Sequence, residues 1–154
     1  MEKITVPNEI LLGEAVRVLN QGKMAVIPTK GYSMLPFIHG CRDSVRLQKR
    51  EELRDYDIVL AHFENGQYIL HRIIKIDEEN VTLMGDGNSQ GRECCLRKDI
   101  VGTAVAIIHP DGTETPCYTP WQLMKAKCWR GLLPVRKYIL GIYRRILKYT
   151  EHEN

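Results

Sequence analysis

Hydrophobic and polar positions follow two different periods along this chain of 154 residues. Over residues 8–21, Ile10, Leu11, Ala15, Val18 and Leu19 recur at helical spacing. Pro7 and Asn8 suit the start of that helix, and Gly22 suits its end. From Lys23 to Asp111 the pattern shortens to strands. MAVIPT, SVRLQ, DIVLAHF, YILHRIIKI, NVTLMG and IVGTAVAII are rich in Val and Ile, with ENG, DEEN and DGN as turns between some of them. Several short strands after a single helix predict a mainly β domain whose sheet closes on itself or forms a sandwich. The helical period then returns. Val135, Ile139, Ile142, Ile146 and Tyr149 fall on one side, and Lys137, Arg144, Arg145 and Lys148 on another. Gly131 and Pro134 predict a split into two helices, with Pro134 near the first turn of the second. Three segments result: a helix over 1–22 packed on the domain, a β domain over 23–116, and a basic amphipathic helical tail over 117–154.

Charge sharpens the division. The chain is 44% hydrophobic and 27% charged, ordinary globular values that argue against disorder. Residues 1–120 hold 14 Lys and Arg against 17 Asp and Glu, whereas residues 121–150 hold eight basic residues and no acid. A neutral-to-acidic body carries a basic tail. Three roles are open to that tail: packing its apolar stripe on the body, lying in the plane of an anionic membrane, or serving as a nucleic-acid arm. The last is the weakest, because nothing else in the chain offers a basic footprint or a base-stacking platform, and no nucleic acid is expected. No apolar run approaches the roughly 18 residues of a membrane span, and the first residues lack the pattern of a secretory signal. The expected location is the cytoplasm, with the inner membrane surface as the place where the tail could act. The five cysteines show no CxxC spacing, so neither a structural zinc site nor a disulfide framework is expected, and free thiols are.

Three stretches could carry chemistry. In KGYSMLPFIHG, Gly31 stands two residues before Ser33, with Met34 and Pro36 after it. A glycine there lets the backbone turn sharply and present a hydroxyl beside unpaired N–H groups. In YILHRIIKI, His71 lies inside a β-forming apolar run, where its imidazole could serve as the base a serine needs at neutral pH. On simple alternation Ile69, His71, Ile73 and Lys75 share one face. Lys75 is a rival base, but it lies about 13 Å further along an extended strand and beside Asp77, Glu78 and Glu79, where it should stay charged. His39 reads as a loop residue, and Arg72, on the opposite face, as structural and paired with an acid. In MGDGNSQGRE, Asp86 follows a strand directly, either capping its own turn or orienting the imidazole.

Together these residues resemble the signal peptidase I and LexA-like serine peptidase clan. Gly31-Tyr32-Ser33-Met34-Leu35-Pro36, Asp57-Ile58-Val59, His71-Arg72, Gly85-Asp86-Gly87-Asn88 and Asp99-Ile100-Val101-Gly102 follow its order and spacing over roughly residues 23–108. Most bacterial members use a lysine base; His71-Arg72 is similar to the endoplasmic-reticulum-type branch. The resemblance implies a coiled β-sheet or partly closed barrel, with Ser33 as nucleophile and His71 as general base. Asp86 matches the motif aspartate of the G-D-x-N turn. Some members place a second acid several residues later, so Glu93 is an alternative third member. Gly31, Met34 and Pro36 are implied at the oxyanion and substrate side. This chain departs from the pattern in lacking a membrane anchor before the serine, in Gly31 where many members have serine, and in Tyr56-Asp57 for the usual G-D.

The implied activity is a serine endopeptidase that cuts a peptide or precursor protein, bound as an added strand with small residues before the cut. No metal and no organic cofactor is implied. Alternatives are a catalytically silent peptide-binding module and a membrane- or partner-docking adaptor built on the tail. A self-cleaving switch is disfavoured, because about 30 residues before Ser33 are too few for a helix-turn-helix domain plus linker.

Overall fold

A computed structural model describes residues 8–152. It is mainly β, with a helix at each end and a curled antiparallel half-barrel sheet between them. Helix α1 (Asn8–Asn20) buries Leu12, Ala15 and Leu19, one stripe at helical spacing, while Ile10 of the expected face is exposed. It stops where Gly22 takes a left-handed φ of 78° and its N–H bonds the Leu19 carbonyl. Leu19 reaches the sheet at Gly102, where a Cβ would stand 2.9 Å from its Cδ1.

Eight strands follow: β1 (Ala25–Pro28), β2 (Ser44–Gln48), β3 (Ile58–His62), β4 (Tyr68–Asp77), β5 (Asn80–Met84), β6 (Glu93–Leu96), β7 (Ile100–Ile108) and β8 (Glu114–Pro116). The six strands expected from alternation are present within a residue or two. β6 and β8 were not expected. The sheet order is β1-β2-β7-β3-β4-β5-β6, with β8 also on β7. Every pairing is antiparallel, and the register slips at Arg46/Leu47, Leu60/Ala61 and Ile73/Lys75. Such irregularities raise the local twist and let a sheet curl.

The register decides which side chains meet. Val59 pairs with His71, Ile73 with Leu83, and Leu83 with Glu93, so His71, Ile73 and Glu93 share one face. Arg72 pairs with Met84 on the other. The irregularity at Ile74 then overturns simple alternation: Lys75 pairs with Thr82 and Ile76 with Val81. Lys75 therefore leaves the His71 face, and Ile76 takes its place beside the buried cluster of Val59, Ala61, Ile73, Val81, Leu83 and Cys95. A second cluster gathers α1, β1, β2 and the loop residues Met34 and Ile38.

The tail forms α2 (Pro120–Gly131), a 3-10 turn at Leu133–Val135 and α3 (Arg136–His152). Thr119 caps α2 by accepting the Gln122 N–H, and Pro120 sits at the first helical position, as its fixed φ allows. The stripe that packs is not Val135, Ile139, Ile142, Ile146 and Tyr149, all of which are exposed. Leu140, Tyr143 and Leu147 pack instead, with Trp129, against Leu35 and Phe37 of the loop that follows Ser33. Two apolar stripes run along α3, and periodicity alone does not say which one docks.

Candidate active site

Ser33 lies on a loop between β1 and β2 whose ends are tied together. Thr29 donates its N–H and its hydroxyl to the Asp43 carbonyl, and Cys41 donates its N–H to the Thr29 carbonyl. Gly31 takes a left-handed φ of 72°, and Gly40 packs on its backbone so closely that any Cβ at position 40 would collide with it. The loop's interior turns bond Leu35 N–H to Tyr32 O, and Phe37 and Ile38 N–H to Met34 O. The backbone N–H of Ser33 has no acceptor among the described residues. The Leu35–Pro36 peptide is cis.

The G-D-G-N turn after β5 is built against that loop. Gly87 donates its N–H to the Ser33 carbonyl at 2.7 Å. A Cβ on Gly87 would stand 2.1 Å from the Tyr32 carbonyl oxygen. A Cβ on Gly85 would stand 2.4 Å from the Ser33 carbonyl oxygen and 3.0 Å from His71 Nε2. The serine backbone and the imidazole therefore converge on one point, and only glycine leaves room for both. Ser33 and His71 also line the same cleft, of about 360 Å³, with Gly31, Met34 and Glu93. The Ser33 hydroxyl is not hydrogen-bonded to His71 among the described residues. An unliganded catalytic pair can be looser than its reacting form.

His71 is 7% exposed, and its Nδ1 lies 2.9 Å from Glu93 Oε2. That contact leaves Nε2 as the nitrogen beside Gly85 and the serine loop. Glu93 keeps 29% of its side chain exposed. Its position follows from β6, which the alternation pattern missed because its four residues, Glu-Cys-Cys-Leu, include no β-branched or aromatic side chain.

Asp86 does not meet the imidazole. It lies on the parity of Met84, and hence on the Arg72 side of the sheet. Arg72 Nε donates to Asp86 Oδ1 at 2.9 Å and Nη2 to Oδ2 at 2.8 Å, with both side chains buried. Arg72 Nη1 donates to the Tyr56 carbonyl, and its guanidinium stands 4.8 Å from the Phe37 ring centroid. Arg72 thus has the acidic partner expected of it, and Asp86 is the residue that supplies it. Nearby Asp57 is also buried, which pushes its carboxyl above the usual carboxylate range, although the Arg54 N–H and the charges of Arg50, Arg54 and Arg72 pull the other way.

The other expectations divide in the same manner. Pro36 is exposed and lies outside the cleft lining, so the substrate-side role expected of it has no support in its placement. Lys75 is solvated, with Asp77 3.9 Å away. His39 bonds the Gly40 carbonyl through Nδ1 and does not line the cleft.

Three residues hold the turn from behind: Arg144, expected only on the basic face of the tail, and Trp129 and Arg136, for which the pattern gave no role. Trp129 Nε1 donates to Asp86 O at 2.8 Å, Arg144 Nη2 to Gly87 O at 3.1 Å, and Arg136 Nη1 to Asn88 O at 3.1 Å. Three consecutive carbonyls are thus held by α2 and α3, while Gly87 N–H faces Ser33. Arg136 is 4% exposed, and burial pulls its guanidinium pKa down, partly offset by the Asp86 charge. No protein-family model matches the chain, and no curated protein matches it significantly, so its functional reading rests on its own residues.

Proposed function

We propose that the chain is a serine endopeptidase of the signal-peptidase and LexA-like kind, with Ser33 as nucleophile, His71 as general base and Glu93 as the acid that orients the base. The observation that carries this reading is the convergence of Ser33 and His71 on Gly85 within one cleft, with His71 Nδ1 held by Glu93. His71 Nε2 takes the Ser33 hydroxyl proton as Oγ bonds the peptide carbonyl carbon. The imidazolium returns that proton to the leaving amine as the C–N bond breaks. Water then bonds the acyl carbon as His71 accepts its proton, and His71 returns that proton to Ser33 Oγ as the ester C–O bond breaks and the acid product leaves. Glu93 accepts a hydrogen bond from Nδ1–H and stabilises the imidazolium. The unpaired Ser33 N–H is suited to receive the developing oxyanion. The substrate class, an extended peptide with small residues before the cut, rests on the resemblance alone.

A second reading, a peptide-binding module that no longer cuts, draws on the absent hydrogen bond between Ser33 and His71. A fluorophosphonate probe separates the two. Covalent labelling of the wild-type chain, lost in Ser33→Ala and in His71→Ala with unfolding temperatures preserved, is the outcome expected of the peptidase. Labelling that survives Ser33→Ala would overturn it, and peptide binding without any labelling would favour the silent module.

A further inference from the structure

Helix α3 has three faces, and only one is used by the body. Leu140, Tyr143 and Leu147 pack inward, and Arg136 and Arg144 bond the G-D-G-N turn. Around the helix, Tyr138, Ile139, Ile142, Ile146 and Tyr149 are 64%, 38%, 61%, 56% and 72% exposed. At about 100° per residue these five fall within an arc of about 100°. They run about 17 Å along the axis. Lys137, Arg145 and Lys148 fill the neighbouring arc, and all three are exposed.

Charge selects the occupant of that stripe. Residues 121–150 hold eight basic residues and no acid. A second copy would bring two basic flanks together and repel itself. An anionic bilayer supplies both of the things the helix offers to meet: hydrocarbon for the stripe and negative headgroups for the flank. Tyr138 and Tyr149, near the two ends of the stripe, are side chains suited to the headgroup level. No helix among the described residues is long and apolar enough to cross a membrane. We propose that α3 docks the protein on an anionic lipid surface, lying in its plane with Ile142 and Ile146 turned into the acyl boundary. This docking surface is independent of the peptidase reading, and its test involves no hydrolysis.

The test is flotation of the full chain with vesicles of phosphatidylglycerol and phosphatidylcholine, against vesicles of phosphatidylcholine alone. The wild type should partition at least about ten-fold better into the anionic vesicles, and less so as salt is raised. Ile142→Glu with Ile146→Glu, both on exposed positions and checked for an unchanged unfolding temperature, should abolish partitioning. Lys137→Gln, Arg145→Gln and Lys148→Gln together should weaken it about a hundred-fold. The proposal is overturned if the wild type stays unbound with anionic vesicles, or if the isoleucine variant binds as well as the wild type. It is also overturned if the stripe instead makes a dimer, which the isoleucine substitutions would turn to monomer in sedimentation while vesicles leave the wild type unbound.

Discussion

At positions 71 and 72, two neighbouring side chains leave one strand in opposite directions, and each meets a carboxylate. Arg72 and Asp86 close on each other with 9% and 5% of their side chains exposed, and Arg72 has a further bond to Tyr56 O. His71 and Glu93 make a single contact, Glu93 stays 29% exposed, and both line the cleft. A closed pair of permanent ions can only hold the fold together. An imidazole with one nitrogen engaged and the other facing a serine loop can exchange a proton. The contrast teaches that the aspartate of the G-D-G-N turn and the carboxylate beside the imidazole need not be the same residue. Here the turn that carries Asp86 serves as scaffold, and the acid beside the base arrives on the next strand.

The comparison can be broken at either pair. Asp86→Ala leaves a buried guanidinium without its partner and should cost about 3–5 kcal/mol of stability, read by denaturant unfolding. Glu93→Gln should leave stability within about 1 kcal/mol, because the Glu93 side chain stays in contact with water. The same change should slow probe labelling of Ser33 about a thousand-fold, through loss of the proper tautomer and of charge stabilisation. If the two variants exchange these behaviours, the division between scaffold and site is wrong. Gly85→Ala tests the point where the two faces meet. Its methyl group would press on the Ser33 carbonyl and His71 Nε2, and it should cost about 1–3 kcal/mol and reduce labelling as well. The smallest effect is in pH. Burial raises Asp57, so the folded chain holds that proton more tightly than the unfolded one. Its contribution favours folding at the acid end and is lost as pH climbs through the raised value. Asp57→Asn should therefore compare best with the wild type at neutral pH and worst below the usual carboxylate range, in thermal unfolding across that span.

Local pattern made much of this architecture legible. Leu12, Ala15 and Leu19 fall on the expected helix, and six of the strands announce themselves by β-branched residues between turns. Strands β6 and β8 do not, because Glu-Cys-Cys-Leu and Glu-Thr-Pro are short and weak β-formers that gain their shape from partners already in place. Ser33 and His71 were legible as candidates, since a glycine-bounded turn and a histidine in an apolar strand are local features. The choice between Asp86 and Glu93 was not. It depends on a register across three strands, and a one-residue shift exchanges the faces. Lys75 makes the same point from the other side: the irregularity at Ile74 removes it from the His71 face, and nothing in YILHRIIKI marks that position. The rotation of α3 was hidden for a related reason. Its docking is chosen by Arg136 and Arg144, whose acceptors are backbone carbonyls and leave no trace in the pattern of side chains.

The brace on the G-D-G-N turn sets an order of events during synthesis. Ser33, His71 and Glu93 leave the ribosome ahead of the residues that hold the turn. Trp129, Arg136 and Arg144 follow their carbonyl partners by 43, 48 and 57 residues. At about 5–20 residues per second, that interval lasts several seconds. A nascent chain thus carries its serine loop and imidazole before α2 and α3 brace the turn from behind. The turn on which the serine loop and the imidazole converge is therefore fully braced only after α3 has emerged.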